Sequence, residues 1–247
     1  MKKFNINLKG RVKNFDLPEN KSLFPLFEAV VNSMQAIEER KKLCSFDGSI
    51  VIKIEREETI SNEVPGRINN IYITDNGIGF NEDNYNSFLE SDSDYKSEIG
   101  GKGVGRFSWL KAFKSVSVDS CFEDNGRFYK RAFEFSLSND GVDDTVIETV
   151  AEDPSTTIKL CSFIDNYKKN APLKLEEIAI KMIQHCFVYF LSSGCPIVVL
   201  SDDQNSSINL NDLFKTKIIL AEERETFSVE NEKFCLTKLR VSGYIIR

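Results

Sequence analysis

Histidine is almost absent: His185 is the single one in 247 residues. A serine-type triad or a histidine-based zinc centre has one residue to draw on. That residue lies in the apolar run MIQHCFVYF, where a packed imidazole is the plain expectation. Cysteine pairs at metal-ligand spacing are also absent. Cys44, Cys121, Cys161, Cys186, Cys195 and Cys235 are scattered and read as reduced, packed thiols of a cytoplasmic protein. No basic-then-apolar leader opens the chain, and no apolar run is long enough to span a bilayer, so no membrane partner is expected. An excess of basic charge is missing too. The net charge is −6 and the pI about 5.1, which argues against a nucleic-acid grip made by the whole surface but not against a local basic patch.

What is present is a chain that is 41% hydrophobic, enough for one sizeable core and part of a second unit. Lys2 to Asn20 reads as an edge strand and a connection. Over Lys21 to Lys42, apolar residues recur at helical spacing: Leu23, Phe27, Val30, Val31, Met34 and Ile37. Strands are expected at Ser49 to Glu55 and Ile68 to Thr74, then over 115–121, 127–137, 145–149 and 155–160. Asn81 to Gly105 is polar and reads as mobile. A buried helix is expected to start at Phe107, and one long helix to run from Leu175 to Leu191, followed by the short buried strand CPIVVL. The polar stretch SDDQNSSINLND marks a boundary after residue 200, with a second β-rich unit beginning in 201–247. The chain ends in the apolar run VSGYIIR, as a fragment of something longer would.

Four short stretches can carry chemistry. In EAVVNSMQA, Glu28, Asn32 and Gln35 are four and three residues apart and share one helical stripe. A solvated face is one reading. The other is the floor of a site, because the stripe lies in an apolar segment and Asn is a poor residue for a helix interior. In IYITDNGIG, Ile71, Ile73 and Asp75 share a strand face. If that face is the core, Asp75 is a buried carboxylate that needs a donor. A capped Asn-Gly turn explains the same residues equally well.

The third stretch, SEIGGKGVGRFSWLKAF, puts glycine at 100, 101, 103 and 105. It is neither a P-loop nor the dinucleotide fingerprint, because the spacing is G-x-G-x-G and no Lys-Ser or Lys-Thr follows. Backbone amides released by glycine, next to a helix N-terminus, suit a polyphosphate; a hinge is the rival reading. The fourth is STTIKL, where Thr156 puts a hydroxyl in an apolar register. A threonine in a strand is usually only a good strand former.

The order of these pieces is more specific than any one of them. E-x-x-x-N on a helix, D-x-G-x-G after a strand, G-x-G-x-G before a helix and T-x-I-x-L on a strand resemble the GHKL ATPase superfamily. That group includes gyrase B, the large heat-shock chaperone ATPases, MutL and MORC proteins and the histidine kinases. The likeness covers about Leu8 to Leu200. It implies an α/β (α+β) Bergerat fold, a two-layer sandwich of a mixed sheet with helices on one face. A 1–200 ATP-binding domain would lead into a transducer-like unit at 201–247.

The resemblance also implies roles. Asp75 would accept the adenine amine, Gly77 and Gly79 would let the purine approach, and Thr156 would hydrogen-bond beside them. Asn32 would hold Mg2+, with Gln35 nearby at a position where many relatives carry Asp. Glu28 would orient or deprotonate the attacking water. Gly101, Lys102, Gly103, Val104 and Gly105 would cradle the phosphates, and the polar segment before them would form a lid.

The function so implied is Mg2+-dependent ATP binding and hydrolysis that drives lid closure and N-terminal homodimerisation of a larger clamp. A DNA or protein client would be engaged beyond this chain. The lysine supplied by the family's next domain cannot be placed, so turnover by this piece is expected to be slow. Two alternatives stand beside it: a nucleotide sensor attached to an effector domain, and the catalytic domain of a histidine kinase. The second would need a helical pair before the ATP-binding domain, and none is expected there.

Overall fold

The computed structural model describes residues 8–59, 64–89, 105–138, 142, 144–150, 153–204, 206–217, 221–229 and 232–240, the last two segments and residue 217 as backbone only. Eight strands form one sheet: β1 (Ser49–Arg56), β2 (Ile68–Asp75), β3 (Phe113–Asp124), β4 (Arg127–Ser136), β5 (Asp144–Thr149), β6 (Ser155–Phe163), β7 (Ile197–Asp202) and β8 (Ser207–Asn209). Their order is β5-β4-β3-β6-β2-β1-β7-β8, and β1 with β7 is the one parallel pair, so the sheet is mixed.

Strand composition explains which side is covered. In β1 (SIVIKIER), Ile50, Ile52 and Ile54 are fully buried, while Val51 on the other face is 47% exposed. That alternation is the mark of a sheet with one face on the core. The covering layer includes α2 (Phe24–Lys41), α4 (Gly105–Ala112) and α6 (Leu175–His185). Leu26, Val30, Met34 and Ile37 make the inner stripe of α2 and are fully buried. The α/β sandwich expected from the sequence is the fold observed.

Several elements differ from expectation, each for a visible reason. The segment Leu8–Asn14 is not an edge strand but a helix, α1. Val12 is buried, and Lys111 Nζ of α4 donates to the carbonyls of Val12 (3.2 Å) and Lys13 (2.9 Å), closing the end of the helix. Within the polar region after residue 80 lies α3 (Glu82–Leu89). The Asn81 side chain accepts the Asn84 amide at 2.9 Å as an N-cap, and Tyr85 and Phe88 are buried three residues apart. Helix α4 begins at Gly105, two residues before Phe107.

The long helix expected over 175–191 breaks at Cys186 into α6 and α7 (Phe187–Leu191). The break turns Phe187 and Phe190 onto Phe214, with ring centroids 5.9 and 5.6 Å away. A four-residue helix, α5 (Asp165–Lys168), precedes α6.

The expected boundary after residue 200 falls inside β7. The same sheet continues through β8, and α8 (Leu210–Lys217) buries Leu210 and Phe214 in the same core. Asn209 caps α8 by accepting the amides of Asn211 (3.0 Å) and Asp212 (3.2 Å). The polar residues that resembled a linker are thus a strand and a helix cap. A separate antiparallel pair follows, β9 (Ala221–Val229) with β10 (Glu232–Arg240). No helix among the described residues is long and apolar enough to cross a membrane.

Candidate functional site

The site is built where the end of β2 meets α2. Strand alternation carries Ile71, Ile73 and Asp75 inward, and Asp75 is 3% exposed. Its Oδ2 accepts the Ser33 hydroxyl at 2.7 Å, and its Oδ1 accepts the Gly77 amide at 2.9 Å. Burial pushes the carboxyl up to about 6, against the pull of the Ser33 and Gly77 hydrogen bonds. Among the described residues no cation acts on it. Two donors leave lone pairs unused on a carboxylate that can accept about four hydrogen bonds.

The next strand continues the site. Thr156 of β6 stands opposite Asp75 in the ladder and is 3% exposed. Its Oγ1 lies 2.9 Å from Ser120 Oγ of β3. The Ser120 hydroxyl donates to the Ser155 carbonyl at 3.0 Å and accepts the Phe80 amide at 2.9 Å. A hydroxyl has one proton, so Thr156 is the donor to Ser120. The lone pairs of Thr156 remain for another group.

The turn between β2 and α3 is clamped on both sides. A Cβ on Gly77 would come within 2.7 Å of Ala36 Cβ, and Ile78 donates its amide to the Ala36 carbonyl at 3.1 Å. Gly79 has φ +82°, and a Cβ there would overlap the Cys121 carbonyl. The fold itself therefore demands both glycines. Asn76 ties the turn down further, accepting the Ser49 amide and donating to the Asp47 carbonyl.

Glu28 and Asn32 share one stripe of α2, both half-buried. Burial raises the pKa of Glu28. Its carboxylate lies against Gly105, where any Cβ would overlap Oε2. The two ends of the expected site, Glu28 and the last glycine of G-x-G-x-G, are thus brought together. The Asn32 amide makes no hydrogen bond with any described residue. Gln35 is more deeply buried than this pair. Gly101, Lys102, Gly103 and Val104 lie outside the described residues.

Three contributors were not singled out from the sequence. Ser33 is one, adjacent to Asn32 but turned to the core face. Ser120 is another. The third is Arg131 of β4, 2% exposed, which donates to the carbonyls of Phe80 (2.8 Å) and Asn81 (3.1 Å) and pairs with Asp144 (2.9 Å) and Glu82. Its guanidinium also lies 4.3 Å over the Tyr85 ring. It anchors the exit of the glycine turn to the sheet. The signal was available: Arg131 shares the inward register of Phe133 and Phe135.

No protein-family model matches this chain, and no curated protein matches its sequence.

Proposed function

We propose that this chain binds ATP with Mg2+ and hydrolyses it, as the GHKL resemblance implies. The observation that carries the reading is Asp75, a buried carboxylate with no cation beside it among the described residues and with lone pairs that none of them fills. Such a group suits a neutral N–H donor. The exocyclic amine of adenine is one. Asp75 would accept that amine, and Thr156 would offer a lone pair from the neighbouring strand.

At the other end, Glu28 would hold and deprotonate the attacking water. A carboxylate whose pKa is raised by burial is a better base near neutral pH. Asn32, half-buried and uncommitted, would be the protein ligand for Mg2+. That ion keeps several waters and phosphate oxygens, and it neutralises phosphate charge. One amide is therefore enough protein, and no cage of three acidic, His or Cys side chains occurs among the described residues. The N-terminus of α4, opening at Gly105, would meet the phosphates. Nucleotide-driven closure, homodimerisation, a cytoplasmic location and a DNA or protein client complete this reading.

Calorimetric titration with MgATP and a phosphate-release assay test it together. The native chain binds MgATP and releases phosphate. Asp75→Asn weakens binding at least about tenfold through the lost adenine contact. Glu28→Gln binds without turnover. Binding by the native chain without any phosphate release identifies a sensor, and no binding at all overturns the proposal.

A further inference from the structure

A second cleft, of about 680 Å³, opens at the start of α2 and shares no residue with Asp75, Thr156, Asn32 or Glu28. Three lysines line it from three different segments: Lys21 before α2, Lys169 after α5 and Lys181 on α6. All three are exposed, and none forms an ion pair with any described residue. Glu177 is the one carboxylate among the lining residues. The cleft is therefore locally positive on a chain whose net charge is −6. Three ammonium groups against one carboxylate leave a net positive charge, which an anion would offset.

Ser22 points the same way. It is 3% exposed and lines the cleft, yet its hydroxyl bonds to no described residue. The residue is buried but its hydroxyl oxygen is still reached by solvent, so it can donate to a guest in the cleft. Helix α2 also begins here, with no side-chain cap and no acidic residue in its first turn, so its positive end is unopposed. One wall is flat: His185 stacks on Phe27 with centroids 4.9 Å apart at 26°, and it meets Phe24 edge-on at 5.8 Å.

We propose that this cleft binds a phosphate ester whose organic part carries a flat ring. The phosphate meets Lys21, Lys169, Lys181 and the Ser22 hydroxyl at the head of α2. The ring lies along the wall of Phe27 and His185. The site stands independently of ATP binding beside Asp75.

His185 is the only histidine, so its imidazole C–H signals in a proton NMR spectrum need no assignment. The full chain is titrated with phenyl phosphate and, separately, with inorganic phosphate, at fixed pH and ionic strength. Phenyl phosphate is expected to move the His185 signals saturably, with a midpoint at least threefold below that of inorganic phosphate. In the double variant Lys169→Gln/Lys181→Gln the midpoint rises about tenfold. Both lysines are exposed, so the variant keeps its fold, which circular dichroism checks. Asp75→Asn leaves the midpoint unchanged. A shift that never saturates, or an unchanged midpoint in the double variant, overturns the site. Equal midpoints for the two probes overturn the role given to the ring wall.

Discussion

Ser33 on α2 donates its hydroxyl to Asp75 on β2 at 2.7 Å, across the interface between the helical layer and the sheet. The bond is buried and its acceptor is ionisable, so its strength depends on pH. Ser33→Ala removes one of the two donors holding the carboxylate. A hydrogen bond to a charged group is worth about 1.5–3 kcal/mol. The variant is expected to lose about 2 kcal/mol of unfolding free energy at pH 8, where Asp75 is ionised, and clearly less at pH 5. Urea unfolding at the two pH values measures both. An equal loss at both would show that the bond does not depend on the charge of Asp75.

Asp75 itself makes stability depend on pH with an unusual sign for a carboxylate. Its folded pKa is raised from 3.8 to about 6. The native state then binds more protons than the unfolded chain between these values, and stability falls as pH rises through them. The full difference is about 3 kcal/mol, at 1.36 kcal/mol per pH unit. Asp75→Asn carries no such charge and should lose this dependence. Relative to the native chain, it should gain stability between pH 4 and pH 7 while losing nucleotide affinity. Parallel pH slopes for the two proteins would rule out Asp75 as the titrating group.

The pattern of the sheet and the faces on which Asp75 and Thr156 lie were legible in the sequence, because both rest on period-2 alternation. Ile50, Ile52 and Ile54 announce their face, and Ile71, Ile73 and Asp75 announce theirs. What composition concealed was structure held by polar side chains. Asn81 and Asn209 cap helices inside stretches that resemble loops. The partners of Asp75 and Thr156 were hidden for a different reason. Ser33 and Ser120 are ordinary residues locally, and tertiary contact alone gives them a role.

Arg131 should prove a costly polar residue to remove. It satisfies two carbonyls and two carboxylates while 2% exposed. Arg131→Met would leave the Phe80 and Asn81 carbonyls unpaired, at about 1–3 kcal/mol, while the more exposed Glu82 and Asp144 carboxylates return to water. A drop in the unfolding midpoint is expected. It should come with faster amide exchange in α3 and β5, the elements that Arg131 ties to β4. Arg131→Lys recovers only part of this, because an ammonium lacks the planar fork. Exchange that rises uniformly across the sheet would contradict a local anchor.

The contact between Glu28 and Gly105 separates positioning from folding. A Cβ at residue 105 would overlap Glu28 Oε2, but the colliding atom is the end of a flexible side chain rather than backbone. Gly105 is also not among the glycines with positive φ, so alanine fits its backbone. Gly105→Ala should therefore keep the unfolding midpoint or raise it slightly, since alanine favours helices over glycine by up to about 1 kcal/mol. What must move is the carboxylate of Glu28. If Glu28 is the base, kcat for MgATP falls about 10²-fold or more while KM changes little. The displaced carboxylate returns to water and loses the burial that raises its pKa. The acidic limb of the pH–rate profile then moves to lower pH, a change that simple unfolding cannot produce. Native kcat with an unmoved limb would show that the carboxylate of Glu28 does not need its place against Gly105.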